Sequence, residues 1–71
     1  MAEPPQPLIA GIDAGGTTFK CAVAAPDGRL LATQRVPVTT PEATIGGCVD
    51  FFRWEMKERG ARLGVLGIAS F

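Results

Sequence analysis

Apolar and polar positions alternate along this chain in short blocks separated by turn residues. Leu8-Ile9-Ala10-Gly11-Ile12-Asp13 is an apolar run closed by Ala14-Gly15-Gly16-Thr17, a pattern that predicts a strand buried on both faces. Across residues 18–25, Phe19, Cys21 and Val23 alternate with Thr18, Lys20 and Ala22, and a period of two is that of a strand. Pro26-Asp27-Gly28-Arg29 carries turn chemistry of its own. Proline presets φ at one corner, Asp bonds back to the chain, and Gly accepts positive φ. A third strand is predicted over residues 30–38, with Pro37 marking its end or its place at a sheet edge. Three strands joined by tight turns make an antiparallel meander.

A helix follows. Thr40 suits the N-cap, Pro41 the first helical position, and Glu42 complements the positive end of the helix dipole. Ile45, Val49, Phe52 and Met56 recur at i, i+4, i+7 and i+11 with Cys48 beside them, predicting one apolar stripe. Gly46 and Gly47 each weaken this helix by roughly 1 kcal/mol relative to Ala unless a neighbour packs closely against them. Lys57 and Arg59 fall in the last turn and Gly60 can end it. Residues 63–71 form another apolar run that reads as a buried strand. Because a strand–helix–strand crossover is right-handed, this strand is expected to lie parallel to the first.

Composition narrows the function classes. With 71 residues the chain has room for one small domain, which buries only about 60% of its unfolded surface. A hydrophobic share of 46% with 20% charged residues is that of a globular chain. Seven basic residues balance seven acidic ones, leaving no electrostatic footprint for nucleic acid or an anionic membrane. The chain has no histidine, which removes imidazole bases and histidine-bearing metal cages, and two cysteines cannot build a four-cysteine zinc site. Cys21 and Cys48 sit in apolar settings and read as inert, reduced core thiols. No signal-peptide pattern and no apolar run of about 20 residues is present, so a cytoplasmic location is expected. Residues 1–7 hold three prolines and read as a disordered leader, while residues 8–71 end inside an apolar strand. That ending predicts the N-terminal piece of a larger protein, since an unprotected sheet edge is a liability.

The strongest chemical signal is Asp13-Ala14-Gly15-Gly16-Thr17-Thr18-Phe19-Lys20. Two glycines between strands let the backbone turn tightly and approach another group with no Cβ between them. Backbone N–H groups from Gly15 to Thr18 are placed to cradle phosphate oxygens, Asp13 to hold Mg²⁺ or its waters, and Lys20 to add a charge. The plainer alternative is a hairpin turn closed by an Asp13 side-chain bond. The Walker pattern G-x-x-x-x-G-K-[ST] is absent, and the dinucleotide fingerprint fails because a strand, not a helix, follows the glycines. Other candidates are structural: Trp54 lies opposite the predicted stripe, where it can face solvent, a second lobe or a second subunit. Phe51 and Phe52 belong to the core or its flank, and Ser70 has no base to make it a nucleophile.

A hairpin of the form D-x-G-G-T-x-x-[KR] opening a β-β-β-α-β unit resembles the first phosphate motif of the actin, hexokinase and heat-shock chaperone superfamily. More narrowly, the chain resembles the start of a ROK-family sugar kinase. Gly11-Ile12-Asp13-Ala14-Gly15-Gly16-Thr17, Val36-Pro37-Val38-Thr39-Thr40-Pro41-Glu42 and Leu66-Gly67-Ile68-Ala69-Ser70-Phe71 carry that resemblance, the last two being similar to the fructokinase branch. The sequence departs from the family where Thr18 follows Gly-Gly-Thr in place of the usual Lys, leaving Lys20 as the nearest charge. The resemblance implies an α/β, ribonuclease H-like (actin-like ATPase) N-terminal lobe fragment with a mixed sheet. It also implies an ATP- and Mg²⁺-dependent kinase that phosphorylates fructose at its 6-hydroxyl and forms a homodimer when full length. Asp13 would organise the metal, and Gly15, Gly16, Thr17, Thr18 and Lys20 would hold the phosphates. The catalytic base, the sugar ligands and any Zn²⁺ site would lie outside these residues, so the piece alone is expected to be inactive. A ROK glucokinase or N-acetylhexosamine kinase is the alternative within the family. A sugar-responsive ROK regulator needs a DNA-binding module ahead of the loop, and about a dozen residues before Asp13 are too few for one. A non-kinase ATPase of the superfamily would hydrolyse ATP with no sugar present.

Overall fold

A computed structural model describes residues 7–70 of the chain, with the side chain of Ser70 excepted. Four strands and one helix follow in the order β1 (Leu8–Ala14), β2 (Thr18–Ala24), β3 (Leu30–Pro37), α1 (Pro41–Arg59) and β4 (Leu63–Ser70). The sheet order is β3-β2-β1-β4, with β1, β2 and β3 antiparallel in succession and β4 parallel to β1. This mixed β-β-β-α-β sheet is the ribonuclease H-like arrangement that the resemblance implies. Of the leader expected over residues 1–7, only Pro7 lies within the described residues, its ring packed where a Cβ on Gly64 would come within 2.8 Å.

The turns form for the reasons visible in their sequence. Asp27 Oδ1 accepts the Arg29 N–H at 2.9 Å, and Gly28 takes φ +92°, which a Cβ would strain. At the helix start, Thr40 Oγ1 accepts the Ala43 N–H at 3.1 Å, and such a cap contributes about 1 kcal/mol. The helix stops at Gly60, in the left-handed region at φ +59°, where its N–H and that of Ala61 satisfy the last carbonyls.

Residues directly opposite one another on neighbouring strands share a face of the sheet. One face, carrying Ala10, Cys21, Val23 and Val36, is covered by α1, which brings Cys48, Phe51 and Phe52 against it. Phe51 and Phe52 meet edge-to-face with ring centroids 5.3 Å apart, and burying each contributes about 1.5–3 kcal/mol. Cys21 and Cys48 are free thiols inside this core. Burial, helped by the neighbouring Cys48 thiol, pushes Cys21 up to about 12, so it stays protonated and unreactive at physiological pH.

The helix is rotated relative to its predicted stripe. Its buried residues are Thr44, Cys48, Phe51, Phe52 and Glu55, while Ile45 and Val49 are exposed. The cause is tertiary: α1 packs chiefly on β2 and β3, and Gly47 lets Val36 approach to where a Cβ would sit 2.8 Å from its Cγ1. That contact turns the small side of the helix toward β3 and leaves Ile45 and Val49 on the opposite flank. Two polar residues enter the core in their place, each with a partner. Thr44 Oγ1 accepts the Thr39 N–H at 3.1 Å, and Glu55 Oε1 accepts from Arg59 Nε at 2.8 Å. Arg59 also reaches the Leu31 carbonyl at 3.5 Å, tying the end of the helix to β3.

Within these 71 residues the same placement leaves β1 and β4, expected to be buried on both faces, partly uncovered. One helix cannot cover four strands, so Val65, Leu66 and Ile68 of β4 are exposed, Ile68 to 67%. Gly46 shows the other side of the helix glycines: a Cβ there meets nothing within 4 Å. Gly46→Ala is therefore expected to stabilise the fold by about 1 kcal/mol, read as a higher midpoint in urea unfolding. Gly47→Ala is expected to gain nothing, because the new methyl displaces Val36.

Candidate phosphate site at the first hairpin

Between β1 and β2 the chain turns through Gly15, Gly16 and Thr17. Two backbone bonds fix the shape of this turn. The Gly15 N–H donates to the Thr18 carbonyl at 3.1 Å, and the Val38 N–H donates to the Thr17 carbonyl at 3.0 Å. Gly15 thus spends its N–H inside the hairpin, which leaves the turn's donors at Gly16 and Thr17. Among the described residues, neither of those two N–H groups has a backbone or side-chain partner.

The two glycines differ in kind. A Cβ on Gly15 would lie 2.8 Å from the Thr18 carbonyl oxygen, a distance that side chains do not tolerate, so the turn itself demands glycine here. A Cβ on Gly16 would meet nothing within 4 Å, and Gly16 has no positive φ. Nothing among the described residues requires a glycine at 16. Its missing side chain opens a path for a group outside the chain to reach the backbone.

Asp13 stands at the end of β1 in register with Lys20 of β2, on the face that α1 does not cover. Its carboxylate is exposed and makes no side-chain hydrogen bond among the described residues, so the plainer reading of Asp13 as the clasp of the turn is not what the structure shows. Two clefts meet at this pair. A wide one of about 560 Å³ runs over the flat floor made by Gly11, Ala22, Gly67 and Ala69. A smaller one of about 270 Å³ is lined by Asp13, Gly15, Thr18, Lys20 and Arg35. Asp13 and Lys20 form the wall common to both.

The structure thus brings together all six residues singled out in the sequence: Asp13, Gly15, Gly16, Thr17, Thr18 and Lys20 lie in one hairpin. It adds Arg35, which sequence reasoning missed. A hairpin centred on Asp27 would pair Lys20 with Gln34. An extra residue at Leu31 shifts the register between Val23 and Ala24, and Arg35 comes opposite Lys20. Only the bulge reveals this neighbour, and no local residue pattern announces it.

A magnesium ion suits this site in one mode only. Among the described residues no group of three His, Cys, Asp or Glu side chains could hold a metal, so a closed protein cage is not formed. Mg²⁺ keeps several waters and is commonly held by one carboxylate together with substrate phosphates, and a solvated Asp13 beside free backbone donors fits that mode.

The ROK family model matches residues 9–71. The chain is 43% identical to a fructokinase of Zymomonas mobilis over 60 residues, covering 84% of this chain and 20% of that protein. It is 41% identical to a fructokinase of Streptococcus mutans over 64 residues, covering 90% of this chain and 20% of that one. A fructokinase of Pediococcus pentosaceus is 40% identical over 45 residues, 63% of this chain and 16% of its own length. The chain therefore spans about a fifth of the length of these curated relatives. No solved structure matches it.

Proposed function

The chain belongs to the ROK family, and from that premise we propose that it is the phosphate-gripping N-terminal part of an ATP- and Mg²⁺-dependent hexose kinase. Fructose is the proposed acceptor, phosphorylated at its 6-hydroxyl, because the relatives that match are fructokinases by name. The observation that carries this reading is the β1–β2 hairpin. Among the described residues its Gly16 and Thr17 N–H groups have no partner, its Gly16 leaves room for a ligand, and an exposed carboxylate and a lysine stand beside it.

Phosphoryl transfer asks a protein chiefly for positioning and for neutralisation of charge. In this proposal the Gly16 and Thr17 N–H groups hold phosphate oxygens, with the Thr17 and Thr18 hydroxyls as further donors. Lys20 balances phosphate charge from the neighbouring strand. Asp13 is the residue that would hold Mg²⁺, which when bound supplies charge neutralisation across the phosphates. The base that takes the sugar's proton and the groups that select the sugar belong to other parts of the full-length protein, and the 71 residues alone are proposed to be inactive. The protein is proposed to be cytoplasmic and to act as a homodimer. Among the described residues no helix is long and apolar enough to cross a membrane.

The reading is tested by supplying the full-length protein with ATP, Mg²⁺ and a panel of hexoses, following ADP release and identifying the phosphorylated carbon. Fructose-dependent ADP release with fructose 6-phosphate as product is expected. ADP release that ignores the sugar would overturn the kinase reading in favour of an ATPase. Preference for glucose or an N-acetylhexosamine would keep the kinase and replace its substrate.

A further inference from the structure

We propose that Arg35, acting with Lys20, forms a second anion seat that grips the terminal phosphate of the nucleotide from the sheet side of the hairpin. The inference rests on the kinase reading of the loop and extends it to a residue that the hairpin's own sequence does not contain. Register places Asp13, Lys20 and Arg35 in one row across β1, β2 and β3, on the face left open by the helix. Within that row two cations stand directly opposite each other, an arrangement that costs stability on its own. Among the described residues neither Lys20 nor Arg35 has an ion-pair partner, the ion pair present being Arg59–Glu55 at the far end of the helix. An anion between the two cations removes the repulsion and gives the arrangement a purpose.

The open cleft at this row fits one group of that kind. Asp13, Gly15, Thr18, Lys20 and Arg35 line a cleft of about 270 Å³, smaller than the roughly 300–1,000 Å³ that whole small ligands occupy, and so sized for part of one. Its lining differs in character: Gly15 and Thr18 belong to the hairpin turn and its edge, and Lys20 and Arg35 bring two positive charges. Asp13, at the end of the row, repels a bare phosphate, which centres the seat on Lys20 and Arg35. The guanidinium presents a planar fork that pairs two phosphate oxygens at once, whereas the lysine acts as a point charge. Arg35 would therefore set the orientation of the phosphate and Lys20 would supply charge.

The test is Arg35→Gln in the full-length protein, with two readouts. The KM for ATP is expected to rise about tenfold, as loss of one charge-assisted contact implies, while the KM for the sugar stays within about twofold. In a thermal melt without ligand, Arg35→Gln is expected to be at least as stable as the parent, and the upward shift produced by inorganic tripolyphosphate is expected to shrink. An unchanged KM for ATP together with an undiminished tripolyphosphate shift would overturn the role of Arg35 while leaving the loop reading in place. If neither ATP nor tripolyphosphate shifts the unsubstituted protein, the loop reading itself fails and this inference falls with it. Arg35→Lys keeps the charge and the fold, and so carries the test should the glutamine variant not fold. It is expected to raise the KM for ATP severalfold, and a KM equal to the parent's would count against a forked contact.

Discussion

Asp13→Asn in the full-length protein is expected to lower kcat by about a hundredfold or more while leaving the melting temperature almost unchanged. The two halves of that expectation have separate causes. Asparagine has the same shape as aspartate, and Asp13 is exposed at a strand end with no side-chain hydrogen bond among the described residues, so the fold loses nothing. Surface changes of this kind stay within about 0.5 kcal/mol. Asp13 is, in contrast, the one acidic side chain of β1 and β2, and in the proposed site it is the one that would hold a divalent cation beside the phosphates. Removing one preorganised electrostatic partner of a transition state commonly costs 10²–10³ in rate, about 3–4 kcal/mol. Steady-state kinetics over a magnesium titration checks the claim. Unchanged kcat at every magnesium concentration would remove Asp13 from the metal site.

The second large effect separates the two glycines of the turn. Gly15→Ala places a methyl group 2.8 Å from the Thr18 carbonyl oxygen, and because that oxygen is backbone and cannot swing away, the hairpin has to open for it. A loss of about 1–3 kcal/mol is expected, the usual cost of forcing a methyl into a filled space, together with most of the activity. Gly16→Ala meets no atom among the described residues and needs no change of φ, so the melt is expected to stay where it was. Affinity for ATP is expected to fall about tenfold to a hundredfold, since the methyl stands between phosphate and the backbone donors. A simple structural turn predicts the same damage at 15 but silence at 16 in every assay.

What was legible in the sequence was whatever neighbouring residues decide among themselves. Gly28 and Gly60 mark their turns because only a residue without Cβ accepts positive φ there, and Thr40-Pro41-Glu42 starts a helix by capping chemistry confined to four residues. The Asp13–Lys20 hairpin and the parallel return of β4 follow from equally local signals and from the handedness of the crossover. The face of α1 was not legible. Hydrophobicity alone favours Ile45 and Val49, but the contact of Gly47 with Val36 turns Thr44 and Glu55 inward, and each is tolerated because a hydrogen-bond partner lies beside it. The open faces of β1 and β4 escaped the pattern for a related reason, since an apolar run does not state how many helices cover it. Arg35 was hidden by a one-residue register shift, which changes every β2–β3 partner from Val23 back to Thr18.

The central claim is that the Gly16–Thr17 backbone receives a phosphate, and it is tested most directly by calorimetric titration of ATP with Mg²⁺ into the Gly16→Ala protein. A dissociation constant at least about tenfold weaker than the parent's, at an unchanged melting temperature, is the expected result. Equal affinity in the two proteins, with the fold equally intact, would contradict it and leave the hairpin as a turn and nothing more.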